Sequence, residues 1–271
     1  MKKTIAIFFL MGISGTFSAQ TPQNDRMKAK HEKLKTDKLD ARKVELQLTG
    51  GLQAFKKFMD ENKVCADLES VTFFDNSIEV DDHNVPVSGK QFYFPLKFFI
   101  MSGENKNEKP LIDIDLNSII YYSRFLYAMK EPLLFNKKSK KEIYRFTWLR
   151  TFHHPVTIRI EKDGETCLLY WKLSDGEGGY DPGKVITDKS KPVDIKIWQE
   201  LKSMLQKMDF WHMNRIPQGI TVDGSKWILE GAEPEQYRVV DLSSPEANDF
   251  YYTCLFLLNQ TDLGINKEEI Y

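Results

Sequence analysis

The chain has 271 residues, 41% of them hydrophobic and 28% charged, a balance that supports a folded core. Its 38 lysines and arginines against 39 aspartates and glutamates leave a formal charge of −1, without the basic excess that nucleic-acid binding requires. Beyond the first residues no apolar run approaches the length of a membrane-spanning helix, and even FYFPLKFFIM at 92–101 is interrupted by Pro95 and Lys97.

The first segment, MKKTIAIFFLMGISGTFSAQ, has the layout of a secretory signal peptide: Lys2 and Lys3, an apolar run from Ile5 to Ile13, then small residues up to Ala19-Gln20. Residues 1–19 are therefore expected to be removed, leaving an exported chain in the periplasm or outside the cell. Losing Lys2 and Lys3 leaves 36 basic residues against 39 acidic ones, a charge of −3. No cysteine follows the leader directly, so neither a lipid anchor nor a transmembrane anchor is expected after cleavage. Outside the cytoplasm ATP and NAD are scarce, and no cofactor is expected.

Residues 20–43 carry Arg26, Lys28, Lys30, Lys33, Lys35, Lys38, Arg42 and Lys43 and lack a continuous apolar face. They read as a flexible charged tether or a solvated helix, the alternative being an electrostatic foothold on an anionic envelope surface. An N-terminal α+β part follows over 44–135. Thr49 can cap a helix near 50–62, where Leu52, Phe55, Phe58 and Met59 recur at helical spacing. Residues 71–100 are rich in β-branched and aromatic side chains between turn residues, which predicts strands. Residues 111–129 suit a buried strand or a helix, and a helix is expected after Asn117.

The C-terminal part, 136–271, forms one domain of its own or continues the preceding part. EIYRFTWLRTF at 142–152 reads as a strand. Val156, Ile158 and Ile160 alternate with Thr157, Arg159 and Glu161, the pattern of a strand with one buried face. Asp163-Gly164 predicts a type I′ hairpin turn, with Cys167, Leu169, Trp171 and Leu173 on the returning strand. A Gly/Asp-rich loop, SDGEGGYDPGK, covers 174–184. Ile195, Trp198, Leu201, Leu205 and Met208 then make one apolar stripe on a helix from Asp194 to Met208. A second antiparallel set follows: ITV, Asp223-Gly224, SKWILEG, a Glu-Pro-Glu turn and QYRVVDL. Ser244 with Pro245 is expected to start the last helix, turning Ala247, Phe250, Tyr251, Cys254, Leu255 and Leu258 to the core. The fold class is α+β, an antiparallel sheet in hairpin–helix–hairpin–helix order.

Several segments invite chemistry. Gly178-x4-Gly183-Lys184 approaches a nucleotide-binding loop, but Val185 stands where a Ser or Thr must bind the metal and no helix follows. Asp175, Glu177 and Asp181 in the same loop are candidate calcium ligands, although their spacing does not make an EF-hand; a glycine-rich turn in solvent is the alternative. His153, His154 and His212 lack the usual ligand spacings, so no metal site is expected there. Cys65, Cys167 and Cys254 are far apart, and the last two sit in apolar settings that suit packed thiols rather than nucleophiles. Trp211, Trp227, Tyr237 and Trp148 are candidates for a groove that stacks on a sugar or peptide. Glu230 and Asp241 are the candidate catalytic carboxylates. On one strand Trp227 and Glu230 leave opposite faces, which is expected to put Trp227 and Leu229 on the helices and Glu230 outside in water, where Glu230→Gln would leave folding intact.

Phe210-Trp211, Asp223-Gly224, Trp227 through Gly231 and Ser244-Pro245, in this order, resemble segments of uncharacterised bacterial exported and envelope proteins. The likeness covers roughly residues 142–258 and implies export and a shared fold but no activity. The chain reads as a non-catalytic binding or accessory protein of the cell envelope whose partner is an envelope protein, glycan or peptide. The alternatives are a hydrolase of envelope glycan or peptide using Glu230 and Asp241, and an inhibitor or immunity-type protein.

Overall fold

The computed structural model describes residues 79–89, 92–95, 98–103, 111–135, 140–213 and 223–271. The leader, the tether, the expected helix at 50–62, the expected strands before residue 79 and the ITV segment at 220–222 lie outside them, as does Cys65.

Short strands β1 (Ile100–Gly103) and β2 (Leu111–Ile114) pair antiparallel, and helix α1 (Leu116–Ala128) follows at once. The ambiguous stretch at 111–129 is thus a strand and then a helix. Asp115 caps α1, its carboxylate accepting from the Ser118 N–H at 3.1 Å. The sheet comprises β3 (Glu142–Arg150), β4 (Val156–Asp163), β5 (Thr166–Ser174), β6 (Val185–Pro192), β7 (Ser225–Glu233) and β8 (Gln236–Ser243). All its pairings are antiparallel, in the order β6-β5-β4-β3-β7-β8. Helix α2 (Ile195–Lys207) connects β6 to β7, and α3 (Asp249–Asn259) follows β8. The architecture is α+β, with β6 extending the first hairpin into a four-stranded meander. No helix among the described residues is long and apolar enough to cross a membrane.

Both faces of the sheet are covered at its centre, so the expectation of a single buried face on β4 is corrected: Thr157 and Arg159 are buried along with Val156 and Ile158. On one face Phe146, Trp148, Ile158, Leu169, Trp227 and Leu229 pack with Trp198, Leu201 and Leu205 of α2 and with Phe250, Cys254 and Leu257 of α3. On the other, Leu149, Ile228 and Val239 meet Tyr93, Phe94, Phe99 and the buried side of α1. The α2 stripe is as predicted, and Asp194 caps the helix by accepting from the Lys196 N–H at 2.8 Å. The Cys167 and Cys254 thiols are free and buried, and burial pushes both up in pKa.

Two local expectations are corrected. The β4–β5 turn residues are Gly164 and Glu165, and only Gly164 has a positive φ (+59°), which makes it the II′ rather than the I′ arrangement. Ser244 does not cap α3. It is tied to the start of β7, its hydroxyl accepting from the Ser225 N–H at 3.0 Å, and Asn248 caps α3 instead by accepting from Tyr251 N–H at 2.9 Å. Ala247 is consequently exposed.

At the outer edge, β6 carries an extra residue: Leu173 pairs with Thr187 and Ser174 with Val185, so Ile186 bulges out. Past α3, residues 261–271 form a strap without regular structure apart from one 3-10 turn at Lys267–Glu269. Leu263, Ile265 and Ile270 pack it onto the helix-side core.

Trp198 is 3% exposed and its ring lies 5.4 Å from that of Tyr144. Trp198→Ala is expected to cost about 3–5 kcal/mol by lost burial plus a cavity, as measured by urea denaturation.

Candidate functional site

The strand register places charge inside the protein. Arg145 on β3 stands directly opposite Arg159 on β4 and Glu230 on β7, all on the face toward α1. Two guanidinium groups side by side on adjacent strands repel each other unless anions lie between them. One anion is Glu230, 0% exposed, which takes Arg145 in a two-point grip: Nε donates to Oε2 at 2.7 Å and Nη2 to Oε1 at 2.8 Å. The Tyr237 hydroxyl also donates to Glu230, at 2.8 Å.

The second anion is Glu131, which follows α1 and is 1% exposed. Its Oε2 lies 3.0 Å from Arg159 Nε and 3.5 Å from Arg145 Nη1, and its Oε1 lies 3.1 Å from Lys172 Nζ. Lys172 on β5 also donates to the Met129 and Lys130 carbonyls, each at 2.8 Å. Its three N–H bonds are then all used, and its charge sits at the carbonyl end of α1, where the helix dipole favours a cation. Arg145 Nη1 donates to the Pro132 carbonyl at 2.8 Å. Arg159 pairs in addition with Glu161 and lies over the Tyr170 ring at 4.3 Å. Arg145, Arg159 and Lys172 thus alternate with the carboxylates of Glu131, Glu161 and Glu230 in one buried network, which reaches the surface where Lys141 pairs with Glu161 at 3.0 Å.

Burial alone would raise the Glu131 carboxyl, but Arg159, Lys172 and Arg145 outweigh it and hold it down at about 2. Burial would lower Arg145, and Glu230 overcomes that and pushes it up. Burial, with Glu230 beside it, raises the Tyr237 phenol.

The expected site residues meet in two separate places rather than one: Tyr237 touches Glu230, and Trp148 touches Trp227 on the opposite face of the sheet. Glu230 does face away from Trp227, but it lies inside rather than in water because the segment around α1 covers that face. Replacing it is therefore expected to disturb folding, which corrects the expectation for Glu230→Gln. Asp241 is 4% exposed and accepts from the Tyr122 hydroxyl at 2.6 Å. Tyr237 is half-buried between the Phe98 and Phe135 rings, at 5.6 and 5.9 Å. Trp148 and Trp227 lie on the opposite face, both 0% exposed, with ring centroids 5.1 Å apart. Trp211 stands off the sheet beyond α2, half-buried beside Phe210 and Tyr144.

The glycine-rich loop is docked rather than solvated. Gly178 N–H donates to the His153 carbonyl at 2.9 Å, and a Cβ on Gly178 would come within 2.4 Å of the Arg150 backbone. Asp175 and Asp181 accept from the Lys184 and Gly183 N–H groups, at 2.6 and 2.9 Å, so both carboxylates serve the turn, while Glu177 bridges to Asp181 through the backbone. No group of three or more His, Cys, Asp or Glu side chains among the described residues is placed to hold a metal ion.

Sequence reasoning missed Glu131, Arg145, Arg159 and Lys172. On strands the alternation of Arg145, Arg159 and Lys172 with apolar residues is the ordinary mark of a wet face, and Glu131 lies outside any regular element. The available signal was Ile143, Ile228 and Val239, apolar residues sharing the face with those charges.

No protein-family model matches the chain, and no curated protein or solved structure matches it.

Glu131 lies below its ordinary value of 4.5, so its stabilising effect is complete above that pH and is lost as the pH falls toward about 2. Keeping Glu131 ionised rather than protonated in the folded protein is worth about 3 kcal/mol at neutral pH. Urea midpoints of the wild type should fall through that acid window, whereas Glu131→Gln should be less stable at neutral pH and flatter below it.

Proposed function

We propose that the chain is an exported, non-catalytic binding or accessory protein of the bacterial cell envelope, with an envelope protein, glycan or peptide as its partner. The observation that carries the non-catalytic part is the commitment of both candidate carboxylates. Glu230 is gripped at two points by Arg145, and Asp241 is bonded to Tyr122, both beneath the layer that contains α1. A general acid or nucleophile has to reach its substrate, and these two are sealed within the protein. Export is supported by the leader-like order of residues 1–19, and the absence of a basic excess disfavours a nucleic-acid partner.

Two measurements test this. Amino-terminal sequencing of envelope material should find a mature chain beginning near Gln20, and an intact Met1 on a cytoplasmic protein would overturn export. The purified wild type should leave a panel of cell-wall glycans and peptides uncleaved. Glu230→Gln should appear as a loss of stability of about 3–5 kcal/mol, because it strips a buried guanidinium of its counter-charge. Hydrolysis by the wild type that disappears in a folded Glu230→Gln would overturn the reading.

A further inference from the structure

The helix-side face of the sheet carries an unusual floor beneath the strap at 261–271. Trp171 on β5, Trp148 on β3 and Trp227 on β7 line it, with Arg150 at the end of β3 set over the Trp148 ring at 4.4 Å. An indole offers only a donor, and so does a guanidinium. This floor therefore reads acceptors, and the strap supplies them in order along its length. Asp262 accepts from Trp171 Nε1 at 2.9 Å and pairs with Lys189 at 2.6 Å. Glu269 accepts from Arg150 Nη1 at 2.8 Å. The Trp227 Nε1 N–H is shared between Ser225 Oγ on its own strand, at 2.8 Å, and the Tyr271 carbonyl, at 3.0 Å, and the Tyr271 hydroxyl meets His153 Nδ1 at 2.9 Å. Between these points Leu263 and Ile265 turn inward while Gly264 and Asn266 remain exposed, the alternation of an extended peptide laid on a surface.

Strap and floor differ in how firmly they belong to the fold. No residue of the strap is fully buried, and the Lys189–Asp262 pair is more than half exposed, so its net worth is small. The floor, in contrast, is enclosed: Trp148 is 0%, Trp171 4% and Arg150 2% exposed. The strap also leaves part of the floor unread. Among the described residues, Trp148 Nε1 and Arg150 Nε are buried donors without a hydrogen-bond partner, although buried donors are almost always paired.

We propose that this indole- and guanidinium-lined floor is a binding groove for an extended acidic peptide, and that residues 261–271 occupy it in cis. The groove takes a carboxylate at each of two positions seven residues apart, with leucine or isoleucine side chains turned inward between them. A segment tethered to its own site competes at high effective concentration, so an outside peptide binds only when the strap is lifted. The inference rests on the binding-protein reading above.

Gly264 supplies the test. Its φ is +62° and nothing among the described residues lies within 4 Å of a Cβ placed there, so Gly264→Val strains the strap backbone while leaving the floor untouched. The probe is a labelled peptide of residues 260–271, QTDLGINKEEIY, titrated into the full-length wild type and the variant. Gly264→Val should show red-shifted tryptophan emission and bind the peptide at least tenfold more tightly than the wild type. Replacing the aspartate and both glutamates of the peptide by asparagine and glutamine should abolish that gain. A variant whose emission shows a lifted strap but which binds no peptide overturns the groove. Should Gly264→Val fail to fold or to shift its emission, the Asp262→Ala/Glu269→Ala double variant takes its place. If neither variant lifts the strap in a folded protein, the strap is an integral part of the core and the proposal falls. Hydrolase assays on the wild type are independent of these outcomes, so failure of the groove and failure of the binding reading are distinguishable.

Discussion

Glu131 gathers three cations from three successive strands, and the placement of the layer containing α1 on the sheet depends on that convergence. Arg145, Arg159 and Lys172 come from β3, β4 and β5, and without an anion between them they would present concentrated positive charge to a buried surface. The carboxylate enters from the segment that ends α1, and the Met129 and Lys130 carbonyls beside it occupy the remaining donors of Lys172. The positive φ of Lys130 (+51°) turns the chain sharply enough for two consecutive carbonyls and the next carboxylate to meet one ammonium. One short segment thus satisfies the sheet's charges and terminates the helix.

Such a network is not a strong source of net stability. Desolvating six ionic groups costs about as much as their attraction returns, and hydrophobic replacements of buried ion pairs are often neutral or better. What it supplies is intolerance of misplacement. Tyr93, Phe94, Phe99 and Phe125 could slide over Leu149, Ile228 and Val239 at modest cost, because apolar contact is non-directional. Sliding by one residue would separate Glu131 from its partners and leave uncompensated charge in a dry interior. The aromatic contacts hold the layer down, and the ionic contacts determine where it lies.

The helix-side half of the fold was largely legible in the sequence because it obeys simple periodicities. The Trp198-Leu201-Leu205 stripe and the Ile158, Ile160 and Leu229 positions follow from helical and strand spacing alone. The strand β6 was not, since VITDKSKP has neither alternation nor an apolar face, and its pairing with β5 is a property of the neighbouring strand. The other face misled for a different reason. Arg145, Arg159, Glu161, Lys172 and Glu230 follow the code for solvent, and their burial depends on a covering layer that pattern reading treats as a separate part of the chain. Periodicity reveals which side chains share a face, but whether that face is wet depends on contacts between residues as distant as Arg145 and Glu230 or Tyr122 and Asp241.

The bulge at Ile186 belongs with three other features of β6: Lys189 and Lys191 on one of its faces, and Pro192 at its end. An open strand edge is a template onto which another chain can add, and a twist, charge and a residue lacking an N–H each spoil the template. All three are present within eight residues. The sheet is thereby closed to further growth on that side, and crowded copies of the molecule have no regular way to stack edge to edge into fibrils.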